Sequence, residues 1–235
     1  MTASSNTSKK KMSILEMAHI FGAELMGTAI LMFAGCSTAP NSMMWTFAIS
    51  AMVAIHTVGP ISGAHLNPGA TIVSLIMGKL YYKFAPIYWA AQFIGAFVGY
   101  ILHYEIVLIG DNNSTCITKP PAIATEIRVL GVEIIMSFIF FIALAALWDS
   151  KNKHSSDTAS LKFGFILYGL ILSVSKDYAL SMNTARSLPP AIITADFEGH
   201  WIYWVGPNVG AILAGGLYRT FYSNRPYLDG DEDIE

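Results

Sequence analysis

Charged side chains are missing from long stretches of this chain. From Leu25 to Gly78 there is no Asp, Glu, Lys or Arg, and further uncharged runs cover Phe84–Tyr104, Ile134–Trp148, Phe163–Ser175 and Gly199–Tyr218. A helix that crosses a bilayer needs about 20 mostly apolar residues, so these lengths predict several membrane passes. We place six spanning helices near 14–36, 45–60, 84–105, 128–148, 161–177 and 201–222. Two shorter apolar segments, near 67–77 and 183–193, remain. Eleven helical residues measure about 16 Å, half the hydrocarbon thickness, so each is read as a re-entrant half-helix.

The pattern repeats. "IYWAAQFIGA" (87–96) returns as "IYWVGPNVGA" (202–211) at an offset of 115, Asn67 and Asn183 are 116 apart, and Glu24 and Glu133 are 109 apart. Each half holds three spans, an odd number, so the halves enter the membrane from opposite sides. The fold class is therefore an all-α membrane protein with six transmembrane helices, two half-helices and an inverted repeat, an architecture in which broken helices mark the functional site near the midplane. The expected organisation is an N-terminal tail over 1–13, a membrane domain over 14–222 (repeat halves 14–105 and 128–222) and a C-terminal tail over 223–235.

The half-helix starts carry the chemistry. Asn is a favoured N-cap and Pro a favoured first helical residue, so "NPG" (Asn67, Pro68, Gly69) and "NTA" (Asn183, Thr184, Ala185) read as helix starts. Inverted symmetry points them at each other. Broken backbone at that depth survives only when buried in protein or lining a water-filled path. Two amides under two positive dipole ends attract a neutral solute with lone pairs and repel cations. Arg186 sits in the first turn of its half-helix, where a cation is disfavoured by about 0.3–1 kcal/mol. A broken local rule suggests function; the alternative is an Arg reaching for the outer surface.

Composition narrows the class. The chain is 54% hydrophobic and 13% charged, with a mean hydropathy of +0.49, whereas soluble domains are about 25% charged. The basic "KKK" at 9–11 precedes an apolar run that contains Glu24 and lacks a cleavage site, so a retained first helix is expected. Cys36 and Cys116 suggest neither a disulfide framework nor a metal site. With the N-terminus cytoplasmic, ten of the fourteen Lys and Arg fall on inside segments, which predicts both termini inside. The loop 106–127 then lies outside, and carries candidate glycosylation sequons at Asn112 and Asn113. The tail "DGDEDIE" reads as solvated.

From "GAELMGTAILMFAGC" through "SGAHLNPGAT", "GVEIIMSFIFF" and "SMNTARSLPPA" to "HWIYWVGPNVGAILAGGLY", the chain resembles the aquaporin, or major intrinsic protein, family over nearly its whole length. That resemblance implies a passive channel for water, with small uncharged solutes such as glycerol or urea as further cargo. It also implies exclusion of protons and ions, no cofactor, and a homotetramer with one pore per chain in the lipid bilayer of the plasma membrane. It assigns Phe47, Ile171, Leu180 and Arg186 to the selectivity constriction, with Leu172 the alternative to Ile171. Glu24 and Glu133 become structural acids that accept hydrogen bonds from loop backbone, and His65 faces the cytoplasmic vestibule. Water-selective relatives carry His where Ile171 stands, and its loss is shared with some insect members that pass glycerol and urea. Leu180 replaces a residue that is often small or Cys, Gly69 replaces Ala and adds backbone freedom, and Thr184 replaces Pro.

Three other classes compete with a passive channel. A secondary transporter shares inverted repeats, but its ion coupling needs an intramembrane ionisable pair, and neither Glu has a sequence neighbour to supply one. A closed junctional protein on the same fold stays open because of the altered "NTA". No nucleophile, base and orienting acid recur at usable spacing for an enzyme, and no nucleic-acid partner is expected.

Overall fold

A computed structural model describes residues 12–37, 43–107 and 116–223. The main elements are α1 (Ile14–Cys36), α2 (Met43–Ser62), a short α3 (Pro68–Ile76), α4 (Ala85–Leu102, continued by a π turn over His103–Val107), α5 (Glu126–Trp148), α6 (Ala159–Val174), a short α7 (Thr184–Thr194) and α8 (Ile202–Phe221). Local chemistry sets the ends. Ser13 and Glu16 form a capping box at the start of α1, and Thr125 caps α5, which begins at Glu126, two residues before the expected start. The helix expected over 161–177 begins at Ala159 and stops at Val174, where the chain turns.

Among the described residues, α1, α2, α5 and the continuous helix over 82–107 have the length and composition to cross a bilayer. α6 has 16 residues and α8 has 20; the shorter one still measures about 24 Å. The surface is apolar, and polar side chains are gathered inside an otherwise apolar core. Ile49, Val53, Ile94, Ile135 and Ile212 are exposed, whereas Glu24, Gln92, Glu133, Asn67, Asn183 and Arg186 are buried. Hydrocarbon outside and a polar path inside explain that arrangement.

The two halves use the same packing. α4 lies so close to α1 that a Cβ at Gly95 or Gly99 would sit 2.3 Å from the carbonyl oxygen of Leu25 or Ala29. α8 approaches α5 likewise, where a Cβ at Gly210 would lie 2.6 Å from Ser137 Cβ. Small residues allow such approach between membrane helices, where packing rather than hydrophobicity drives association. Within this frame α3 and α7 run in opposite senses from a common middle. The far end of α3 is tied to the end of α8, since Arg219 Nη1 donates to Ile76 O at 2.7 Å. Asp196, just past α7, pairs with Lys119 at 3.0 Å. Nine and eleven residues end to end span about 30 Å, one hydrocarbon thickness.

One expectation is corrected here. Cys36 and Cys116 form a disulfide, with Cα atoms 5.3 Å apart and 80 residues between them in sequence. α1 ends on the face over which the segment beginning at Cys116 passes, so two cysteines remote in sequence meet in space. The tails before residue 12 and after 223, Lys9–Lys11, Arg225 and the sequons at Asn112 and Asn113 lie outside the described residues.

Candidate functional site

Asn67 caps α3 and Asn183 caps α7. Asn67 Oδ1 accepts from Gly69 N at 2.9 Å, and Asn183 Oδ1 accepts from Ala185 N at 3.0 Å and Arg186 N at 3.3 Å. Capping fixes each oxygen toward its own helix, so each amide nitrogen points away from it. Asn67 Nδ2 donates to Met182 O at 2.7 Å and Asn183 Nδ2 to Leu66 O at 2.8 Å. Each Asn therefore binds the residue preceding the other. Leu66 (φ 52°) and Met182 (φ 51°) hold the left-handed conformation that bulky residues rarely adopt, which turns these carbonyls across the middle. An amide nitrogen has two N–H groups, so each Asn keeps a second donor for a solute in the cavity that both line.

Two buried acids hold the strained backbone. Glu24 accepts from Ser62 Oγ (2.6 Å), His65 N (2.8 Å), Leu66 N (2.7 Å) and Gln92 Nε2 (2.9 Å). Glu133 accepts from Ser181 N at 3.1 Å and from Met182 N. A buried acid at this depth is costly unless satisfied, and here the loops before the half-helices satisfy it.

A cavity of about 440 Å³ runs past these groups. Phe47, Ile171, Leu180 and Arg186 all line it, while Leu172 points outward at 49% exposure. Arg186 is buried, with its guanidinium carbon 4.7 Å from the centre of the Phe47 ring. Its Nη1 donates to Cys116 O at 2.9 Å and its Nη2 lies 3.6 Å from Cys116 Sγ. The ring face and the carbonyl offset the unfavourable place of a cation at a helix start. Phe47 fits because Gly35 leaves room: a Cβ there would lie 2.6 Å from the ring.

His65 also borders the cavity, stacked on Tyr88 at 4.4 Å and tilted against Trp148 at 5.1 Å. Trp148 ends α5, whose start lies on the Arg186 side, so His65 and Arg186 mark opposite ends. At the Arg186 end, Lys119 bridges Asp196 and Glu198. Hydrogen bonding to Glu198, then Asp196, raises the Lys119 ammonium above its ordinary range, and Lys119 holds the Asp196 carboxyl below its own. Burial pushes His200, in the loop after α7, downward.

The altered motif residues have specific surroundings. A Cβ at Gly69 would lie 2.4 Å from Phe141 Cζ, so glycine here makes space for a ring rather than supplying freedom. The Thr184 hydroxyl donates to Tyr203 O at 3.2 Å and accepts from Asn208 Nδ2 at 3.2 Å. Pro68 and Ala185 are buried in the first turns of α3 and α7. Sequence reasoning missed Ser62, Gln92, Asn208 and the Cys116 carbonyl. Gln92 and Asn208 stand in the repeated "IYW" segments, which was the available signal.

Two inverted halves, broken helices meeting at a cross-bonded pair of amides, and a buried cation at one end of the cavity define a membrane channel. A family model described as Major intrinsic protein matches residues 8–218, and the chain belongs to that family. It is a passive channel and not an enzyme. The chain is 31% identical to Aquaporin-2 of Bos taurus over 207 residues, which cover 84% of this chain and 76% of that protein. It is 35% identical to Aquaporin-4 of Homo sapiens over 177 residues, 75% of this chain and 54% of that one. The solved aquaglyceroporin from Plasmodium falciparum superposes with a TM-score of 0.77 over 87% of this chain and 96% of its own, at 22% identity, a likeness of fold alone.

Proposed function

We propose that the channel conducts water in single file, with glycerol or urea as additional solutes, and excludes protons and ions. The observation that carries this reading is the reciprocal pair Asn67–Met182 O and Asn183–Leu66 O, which leaves one oriented donor per Asn in the cavity. A water held by both donors keeps its lone pairs toward the Asn residues and its hydrogens away from the midplane. Two half-helix N-termini add positive potential at the same point, and Arg186 adds a full charge at one end. Electrostatic barriers of this kind stop protons and cations while neutral solutes pass.

Phe47, Ile171, Leu180 and Arg186 form the selectivity constriction in this reading. Its apolar members favour an amphipathic solute, which supports glycerol as a secondary cargo. The Lys and Arg distribution supports both termini in the cytoplasm, so the Arg186 end opens outside. The family relationship supports a homotetramer in the plasma membrane. Vesicles containing the purified protein and a pH dye should shrink faster than empty vesicles under an osmotic gradient, with no protein-dependent proton leak. No acceleration over empty vesicles, with insertion verified, would reject the channel reading.

A further inference from the structure

The Cys36–Cys116 disulfide joins the frame of the bundle to the acceptor of the buried Arg186. Its frame end is firmly held. Cys36 is the last residue of α1, beside Gly35, whose carbonyl accepts from Thr46 Oγ1 at 3.1 Å. Ser37 Oγ donates to Phe33 O and lies 3.0 Å from His103 Nδ1 on the π turn after α4. The other end is strained. Cys116 has φ 77°, a conformation that suits glycine, and it is 1% exposed. Among the described residues, its carbonyl and sulfur receive the side-chain hydrogen bonds of Arg186.

We propose that the disulfide is a positioning element of the constriction: it fixes the Cys116 carbonyl against Arg186, and its reduction weakens proton exclusion while water passage persists. This rests on the reading of Arg186 as the electrostatic barrier. Reduction by a dithiol adds two electrons and two protons, giving two cysteine thiols and a cyclic disulfide of the reductant. Two consequences act in the same direction. The left-handed residue loses its covalent tether, so the carbonyl drifts from the guanidinium. The Cys116 sulfur, neutral in the disulfide, becomes a thiol 3.6 Å from a cation, which favours the thiolate and cancels part of the fixed charge.

The change stays local. Lys119 still pairs with Asp196 and Glu198, and Pro120 still packs on Gly199, where a Cβ would lie 2.3 Å from its Cγ. The midplane amides are untouched, which is why water flow continues. The proposed outer location suits a persistent disulfide.

The test uses the full chain in pH-dye-loaded vesicles, with and without dithiothreitol, and the ratio of proton leak to osmotic water permeability as readout. The chain has only two cysteines, so thiol titration after denaturation verifies the redox state. Reduction should raise the ratio by about tenfold, the effect of lowering a barrier by about 1.4 kcal/mol. Cys36→Ser/Cys116→Ser should show a raised ratio that dithiothreitol no longer changes; if that variant does not fold, the reduced wild-type protein still decides. Arg186→Val is the reference. An unchanged ratio after verified reduction, with a raised ratio in Arg186→Val, overturns the positioning role. An unchanged ratio in Arg186→Val as well overturns the barrier reading beneath it. Equal loss of water flow and no rise in leak would make the disulfide merely structural, and also overturns the proposal.

Discussion

Replacing Glu24 with Gln changes one atom's chemistry without changing shape. Four donors converge on the carboxyl group, two on each oxygen: Ser62 Oγ and His65 N on one, Leu66 N and Gln92 Nε2 on the other. Gln keeps one acceptor oxygen and turns the other position into a donor. The Ser62 hydroxyl can rotate to accept, and the Gln92 amide can flip. The backbone N–H groups of His65 and Leu66 cannot. Whichever way the new amide turns, one buried N–H faces another donor, a penalty of about 1–3 kcal/mol. Weakening of the remaining bonds from charge-assisted to neutral adds about 1 kcal/mol. The damage reaches the pore, because Leu66, whose N–H is held by Glu24, also offers its carbonyl to Asn183. Glu24→Gln should therefore melt lower in detergent, by about 2–4 °C per kcal/mol lost, and conduct less water per inserted channel. Thermal unfolding followed by size-exclusion and stopped-flow light scattering measure the two effects. A variant that melts within about 1 °C of wild type and conducts normally would refute the argument that this carboxyl group holds the loop.

Ile171→His should raise the ratio of water to glycerol permeability by adding a polar wall, whereas Leu172→His, on the outward face, should leave it unchanged; stopped-flow measurement of both solutes checks this. Gly69→Ala should destabilise by about 1–3 kcal/mol through collision with Phe141, and Phe141→Leu in the same chain should recover part of the loss in a melting assay. The Lys119–Asp196 pair should contribute no pH dependence to stability between about pH 5 and 9. Its Asp is lowered, so that contribution is present above the ordinary Asp value and fades only as pH falls through the depressed one. Its Lys is raised, so that contribution fades only as pH rises through the raised value; melting curves of Lys119→Met against wild type over this range would expose a slope.

The bundle was legible because burial in a membrane leaves a coarse signal: uncharged stretches of set length, with Asn at the two that are too short. Register was harder. Ile171 and Leu172 are both apolar, and only the packing of α6 turns one inward. At Gly69 the sequence shows a missing Cβ, which suggests backbone freedom, but not the Phe141 ring that occupies its place. The disulfide was missed because two cysteines 80 residues apart make no spacing pattern. The usable signal was topological: Cys36 ends a span that starts inside, and Cys116 lies in the loop assigned outside.

The repeat builds the shared midplane, and departures from it build what is specific to each side. Under the offset of the Asn pair, Arg186 stands where the first half has Ala70, so full charge enters from one side only. Under the offset of 115 between the repeated "IYW" segments, Gln92, which ties Glu24 to Thr71, corresponds to Pro207. The second half cannot repeat that tie, and Asn208, one residue on, binds Thr184 instead. Thr184 therefore does more than replace a proline: its hydroxyl is the attachment that the lost Gln would have supplied elsewhere. Among the described residues Glu133 is left with backbone donors alone, and the loop before α7 has fewer side-chain ties than its counterpart before α3. The less tethered loop is the one that leads into Arg186, so holding the cation in place falls to contacts beyond the half-helix, namely the Phe47 ring and the Cys116 carbonyl. Thr184→Val tests the division. It should cost about 1–2 kcal/mol and disturb the Arg186 side first, so proton leak should rise before water permeability falls; the reverse order would mean that Thr184 supports the midplane rather than the constriction.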